Sequence, residues 1–167
     1  MLRVSITTHV IATLNLVTDI VLTTAINYSN LKPGGWIEVQ ELAMPISDDD
    51  TLAGTDQNIS WDLMLESTAK AGRPYASTRS FKGFMEEGGF TNVVEKHFVW
   101  PHSPWPRDAH LKELGRWHNL NLKEGIEAFL LAGLTRVLGW SREEVTVLAA
   151  KTRASLDDRR IHAYTPT

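Results

Sequence analysis

Helical periodicity dominates the second half of the chain. Apolar residues recur every three or four positions in residues 108–121 and again in residues 122–138, which predicts two amphipathic helices. A third helix is predicted to begin at Ser141, because Ser141 and Glu144 have the spacing of a capping box. Its apolar positions keep the same period as far as Leu156, and the chain is then expected to leave helix.

The beginning of the chain carries mixed signals. β-Branched residues crowd positions 4–26, which is typical of strands, but apolar residues there also fit a helical stripe, so both elements stay open. Residues 32–35, Lys-Pro-Gly-Gly, form a turn sequence, and residues 36–40 are predicted to be a short buried strand. The polar and acidic residues 45–57 predict a loop.

The middle of the chain alternates helix and strand. Helices are predicted at residues 59–71 and 80–87, the second ending at Gly88-Gly89, and a strand is predicted at residues 90–99. Such alternation is typical of α/β domains. The three prolines in residues 100–106 argue against a regular helix or a central strand in that segment.

Composition narrows the class of protein. The 167 residues suit one domain, and 43% hydrophobic with 22% charged residues is ordinary for a soluble globular protein. A net charge of −3 with scattered Lys and Arg argues against direct nucleic-acid binding. The absence of cysteine removes disulfides and thiolate chemistry, and it suits a reducing compartment.

The N-terminal apolar stretch does not predict membrane insertion. Residues 4–26 are interrupted by Thr and Asn, unlike the apolar core of a signal peptide. Asp19 would cost about 2.5–3.5 kcal/mol near the centre of a bilayer. We therefore expect a cytoplasmic or nuclear protein without a membrane partner.

A few side chains are candidates for chemistry. Glu41 follows the end of the strand predicted at residues 36–40, where α/β folds place ligands, so it could act as a base; a solvated strand end is the alternative. His118 could be a general base, with Arg116 and Trp117 beside it as substrate contacts, although a lone helical histidine is more often structural. The histidines lack the spacing of a zinc site, and residues 48–50, three aspartates, are predicted to be a solvated acidic turn, so no metal is expected.

Several short motifs carry a family resemblance when they are taken together and in order. They are Asn30-Leu31-Lys32-Pro33-Gly34-Gly35-Trp36-Ile37-Glu38, Met85-Glu86-Glu87-Gly88-Gly89-Phe90, Trp105-Pro106-Arg107-Asp108, Leu114-Gly115-Arg116-Trp117 and Leu130-Leu131-Ala132-Gly133-Leu134-Thr135-Arg136. The pattern resembles the C-terminal portion of fungal LaeA-like class I S-adenosylmethionine-dependent methyltransferases. The resemblance runs from about Asn30 to Tyr164 and leaves residues 1–29 unmatched.

The resemblance implies a fold and an activity. The expected fold is α/β, an incomplete Rossmann-like class I methyltransferase sheet with a helical C-terminal cap, in a methyltransferase-like domain at residues 30–167. The implied reaction transfers a methyl group from S-adenosylmethionine to a small-molecule or protein acceptor, often in secondary metabolism. In that setting Glu41 would take the proton of the methyl acceptor.

One part of the family pattern is missing. Such enzymes hold the cofactor on a glycine-rich turn after a strand, and no Gly-x-Gly turn follows a strand in this sequence, so the cofactor-binding residues stay unassigned. We therefore expect a truncated protein that is impaired in binding S-adenosylmethionine. The alternative is a non-catalytic interaction module that forms a homo-oligomer or complements another chain.

Overall fold

The computed structural model describes residues 7–12, 29–75 and 77–167, which form a mixed α/β structure. The elements in chain order are β1 (Thr7–Ala12), β2 (Leu31–Val39), α1 (Asp56–Lys70), a 3-10 helix (Thr78–Ser80), α2 (Phe81–Glu87), β3 (Val99–Pro101), α3 (Ala109–Arg136), α4 (Arg142–Asp157) and β4 (Tyr164–Pro166). The α/β class is thus confirmed, whereas a Rossmann-like sheet stays a prediction. No helix within the described ranges is long and apolar enough to cross a membrane.

The chain divides into two compact units. One contains the described residues up to Leu42 together with residues 77–96 and Thr167, and the other contains residues 43–75 and 97–166. The predicted boundary at residue 30 is not tested by this division. The predictions for positions 13–26 lie outside the described residues, whereas the strand signal at the start of that stretch is confirmed by β1.

The first unit is built around a parallel pair of strands, β1 and β2. Thr7 lies opposite Leu31 but His9 lies opposite Trp36, so the intervening Lys-Pro-Gly-Gly sequence bulges out of the ladder. Gly34 has a φ of 78°, a conformation that glycine adopts at little cost. The turn is therefore confirmed as a bulge inside a longer strand. The prediction of a buried strand is wrong at Trp36, whose side chain is 69% exposed.

The prediction of a strand at residues 90–99 is wrong. Residues 90–98 form no ladder in the structure, and regular pairing begins only at Val99. Val94 and Phe98 are exposed. A preference for strands reflects the fit of a side chain to a half-buried pleated surface, so local composition does not produce a strand here. The preceding helix is confirmed as α2, and Gly89 follows it with a φ of 97°.

The second unit has a helical core. Along α3 the buried side chains follow the predicted 3.6-residue period and pack against the apolar face of α4, with α1 covering one side. The buried residues of this core are Ile126, Leu130, Leu134, Val145, Leu148 and Ala149, with Leu63 of α1 against them.

Helix α3 is one continuous helix of 28 residues, so the prediction of two helices divided at residue 121 is wrong. Neither Asn121 nor Leu122 breaks a helix, and Leu122 itself is buried on the inner face. The helix begins at the Asp108 cap, whose carboxylate accepts the Leu111 N–H at 2.8 Å. This continuous helix carries part of the core and three of the predicted site residues, Arg116, Trp117 and His118.

The end of the chain forms a strand held on both sides. β4 pairs antiparallel with β3, and across its other edge Tyr164 exchanges two backbone hydrogen bonds of 2.9 Å with Ile46. Pro101 takes part in β3 opposite Tyr164, which corrects the expectation of an irregular segment for the first residues of the proline-rich stretch. Because the register there needs no N–H from Pro101, the ladder tolerates it.

The predicted capping box of α4 is confirmed, and it provides a test of local stability. The Ser141 hydroxyl accepts the Glu144 N–H at 3.2 Å, and the Glu144 carboxylate accepts the Ser141 N–H at 2.8 Å, which lowers the pKa of Glu144. We expect Ser141→Ala to lower the free energy of unfolding by about 1 kcal/mol in urea titrations. Ser77→Ala is the matched control, because Ser77 precedes the 3-10 helix without a side-chain cap. Equal losses in the two variants would contradict the capping role.

Candidate functional site

The two predicted substrate contacts, Arg116 and Trp117, lie together on the surface of α3. Both bond to Glu113 one turn earlier: an Arg116 guanidinium nitrogen lies 2.7 Å from one carboxylate oxygen, and Trp117 Nε1 donates to the other at 3.0 Å. Trp117 is 64% exposed. The pair is therefore oriented and accessible, and its proposed contact with substrate stays a prediction.

His118 points away from that surface into the interior. Its Nδ1–H donates to the carbonyl oxygen of Pro101 at 3.2 Å, and its ring lies edge-on to Trp100 at 5.4 Å. Burial lowers the pKa of His118, which favours the neutral imidazole. The structure thus separates His118 from Arg116 and Trp117, although the three are consecutive. Its role as a general base stays a prediction.

Glu41 belongs to the first unit and comes two residues after the end of β2. Its side chain is half-buried. The nearest acid within β2, Glu38, is exposed and accepts a hydrogen bond of 2.6 Å from the Gln40 amide. The proposed proton-accepting role of Glu41 is not tested by these contacts.

A buried polar network centres on His102, which the sequence did not indicate. One ring nitrogen contacts the Gln57 side-chain oxygen at 2.9 Å and the other contacts the Thr165 hydroxyl at 2.7 Å. The Asn119 amide donates to the backbone carbonyl of His102 at 2.9 Å and to that of Leu156 at 2.7 Å. These bonds join α1, α3, α4 and β4 around one imidazole, so the network holds the second unit together.

Burial lowers the pKa of His102 to about 3, and the neighbouring His118, with ring centroids 5.2 Å apart, adds to the lowering. His102 is 1% exposed. A neutral imidazole in this position can donate through one nitrogen and accept through the other, which matches its two partners. The network is therefore structural in character.

An exposed polar cluster forms where β4 meets the acidic loop. His162 Nδ1–H donates to Asp49 Oδ2 at 2.6 Å, and the His162 backbone N–H donates to the Thr51 hydroxyl at 2.8 Å. The Thr51 hydroxyl in turn donates to Asp49 Oδ1 at 2.7 Å. These hydrogen bonds, from Thr51 first and His162 second, lower the pKa of Asp49 to about 2, so its carboxylate is ionised at neutral pH.

Aromatic residues flank this cluster. The Trp105 ring lies 4.9 Å from the His162 ring, and its Nε1–H is fixed by the carbonyl of Ala163 at 3.0 Å. The Tyr164 hydroxyl donates to Asp48 at 2.8 Å, which raises the pKa of Tyr164. The residues predicted to be a solvated acidic turn therefore orient side chains from the far end of the chain. No pattern in either local sequence indicates this pairing.

The described part of the chain offers no metal centre. No group of three or more His, Asp or Glu side chains in it is placed to hold a metal ion, and the chain has no cysteine. What the exposed cluster can do is accept and donate hydrogen bonds through an oriented imidazole beside an ionised carboxylate.

Known proteins similar to this chain are named as methyltransferases or as regulators of secondary metabolism. A probable methyltransferase tdiE of Emericella nidulans is 36% identical over 141 residues, which cover 83% of this chain and 44% of that protein. The secondary metabolism regulator LAE1 of Cochliobolus heterostrophus is 39% identical over 82% of this chain and 46% of its own length. The protein-methionine methyltransferase laeA of Emericella nidulans is 34% identical over 82% of this chain and 37% of its own length.

The chain spans less than half the length of these curated relatives. No family model matches the chain, and no solved structure matches it. The similarity is nevertheless consistent in identity and in extent across proteins from different fungi, and it confirms the resemblance first drawn from the turn and helix motifs. Over 82–83% of its length, this chain is similar to the C-terminal portion of fungal LaeA-like methyltransferases.

Proposed function

We propose that the chain takes part in the transfer of a methyl group from S-adenosylmethionine to an acceptor of fungal secondary metabolism. The observation that supports this is 34–39% identity, over about four fifths of the chain, to proteins named methyltransferases or secondary metabolism regulators. One relative is named a protein-methionine methyltransferase, which supports a protein acceptor, while a small-molecule acceptor stays an alternative. These names do not favour a non-catalytic interaction module.

The described residues do not provide the glycine-rich turn that would hold S-adenosylmethionine. Between β2 and α1 the one glycine is Gly54, directly before the helix cap, and no glycine lies between β3 and α3. A glycine-rich turn lets the backbone approach a nucleotide closely, and neither connection has one. We propose that the described residues contribute on the acceptor side of a Rossmann-like enzyme and that this chain alone binds S-adenosylmethionine weakly.

A calorimetric titration tests the cofactor part of this proposal. We expect no saturable heat when micromolar S-adenosylmethionine is added to the chain alone, because a cradle for the nucleoside is absent from the described residues. The full-length Cochliobolus heterostrophus relative serves as the control under the same conditions. Saturable micromolar binding by this chain would overturn the expectation of impaired cofactor binding.

Complementation tests the methyl transfer itself. Combined with the part of the Cochliobolus heterostrophus relative that this chain does not match, the chain is expected to label an acceptor in a fungal extract from methyl-tritiated S-adenosylmethionine. Each part alone is the control. Failure of the combination to label any acceptor, with both parts folded, would count against a contribution to methyl transfer.

We further propose that the protein acts in the cytoplasm or nucleus.

A further inference from the structure

The imidazole of His162 is fixed on one side and open on the other. Nδ1–H bonds to Asp49 and the backbone N–H bonds to Thr51, so both the ring and its backbone are oriented. Nε2 makes no hydrogen bond to any residue that the structure describes, and 41% of the side chain is exposed. In the neutral imidazole that donates to Asp49 through Nδ1–H, Nε2 carries a lone pair that faces away from Asp49.

The surroundings of His162 define what could bind there. Trp105 provides a fixed aromatic neighbour at 4.9 Å, and Asp48 and Asp49 make the cluster negatively charged. An anionic ligand would be repelled by these carboxylates. A neutral molecule with a hydroxyl group could donate to Nε2 and place an aromatic ring against Trp105.

We propose that His162 is the hydrogen-bond-accepting centre of a binding site for a neutral, hydroxyl-bearing aromatic molecule, with Trp105 as the flanking ring. On ionisation of the ligand, its O–H bond breaks, an N–H bond forms at Nε2, and the resulting imidazolium is paired with the Asp49 carboxylate. Such a molecule would be the small-molecule alternative among the acceptors proposed above, and its biological role rests on that proposal. The binding of such a molecule at His162 does not depend on the proposed methyl transfer.

Phenol titration followed by NMR tests the site directly. We expect phenol to shift the His162 Nε2 and Trp105 Nε1–H resonances along one saturable curve, with the other histidines unaffected. Anisole has the same ring without a hydroxyl hydrogen, and benzoate carries a negative charge. Both are expected to bind up to about tenfold more weakly than phenol, which is the scale of one lost hydrogen bond.

Variants separate the imidazole from general effects. His162→Phe keeps a ring beside Trp105 but removes Nε2, so we expect phenol binding to weaken by up to about tenfold. Asp49→Asn removes the negative charge that favours a proton on Nδ1, so we expect weaker binding and a change of tautomer visible in the nitrogen shifts. His110→Phe is the matched control, because His110 is exposed near the start of α3.

Several outcomes would overturn the site. These are shifts that grow linearly with phenol, equal affinity for anisole, or phenol affinity that is unchanged in both His162→Phe and Asp49→Asn. The phenol titration needs no S-adenosylmethionine. Phenol binding without methyl transfer would therefore count against the proposed function and leave the site intact, whereas methyl transfer without phenol binding would remove only the site.

Discussion

Replacing Gly115 with alanine is expected to lower the free energy of unfolding of the second unit by about 2 kcal/mol, because overpacking a buried contact forces backbone shifts. Gly115 lies on the buried face of α3, and a Cβ there would overlap the backbone carbonyl of Ser103. A backbone group cannot rotate away as a side chain can. The loss should appear in urea unfolding followed by tryptophan fluorescence.

Gly125→Ala is the matched control in the same helix. A Cβ at Gly125 would meet the ring of Phe129 at 3.0 Å, and Phe129 is 63% exposed and free to move outward. Alanine favours helix over glycine by up to about 1 kcal/mol, so this variant should be neutral or more stable. Equal destabilisation by both substitutions would mean that the close approach of α3 to Ser103 is not what requires Gly115.

Acid is expected to destabilise the second unit well above the range in which carboxylates titrate. The pKa of His102 is about 3 when folded, against an ordinary value of 6.5, so between these values the unfolded chain binds a proton that the folded chain does not. Stability is therefore complete above pH 6.5 and is lost as the pH falls. The expected loss approaches about 1.4 kcal/mol for each pH unit below 6.5 and totals about 2 kcal/mol between pH 6.5 and 4.5. His118, whose pKa burial also lowers, should add to the loss.

Urea titrations at several pH values measure this dependence, with His102→Gln as the comparison variant. Glutamine can still donate and accept hydrogen bonds but does not titrate, so its pH dependence should be shallower over the same window. Asp49 and Asp158 have pKa values lowered to about 2 from 3.8, and their contributions are lost only below that ordinary value. A wild-type stability that is flat from pH 6.5 to 4.5 would show that His102 is not held neutral.

Local signals in the sequence predicted local structure well. The capping box at Ser141 and the helix stop at Gly88-Gly89 depend on residues a few positions apart, and both are confirmed. The helix predicted at residues 59–71 is confirmed as α1, although it begins earlier, at the Thr55 cap. The helices predicted at residues 108–121 and 122–138 form one helix, α3, because neither residue at the predicted boundary breaks a helix.

Contacts between distant parts of the chain could not be predicted in this way. Asp49 and His162 meet only because β4 aligns with the segment around Ile46, and nothing in either local sequence indicates that alignment. The same holds for His102, which was considered only as a metal ligand and whose burial depends on Gln57 and Thr165. Local sequence patterns do not predict the role of a side chain when that role depends on contacts with a distant segment.

The pairing of β4 with β3 on one edge and with Ile46 on the other has a consequence for synthesis on the ribosome. Ile46 and His102 emerge well before Tyr164 and Thr165, so their polar partners do not yet exist while the helices are forming. Until β4 leaves the exit tunnel, the edge of β3 and the imidazole of His102 must be hydrated or shielded by a chaperone. Closure of the second unit is therefore a late step of its biogenesis, set by the order in which the chain is made.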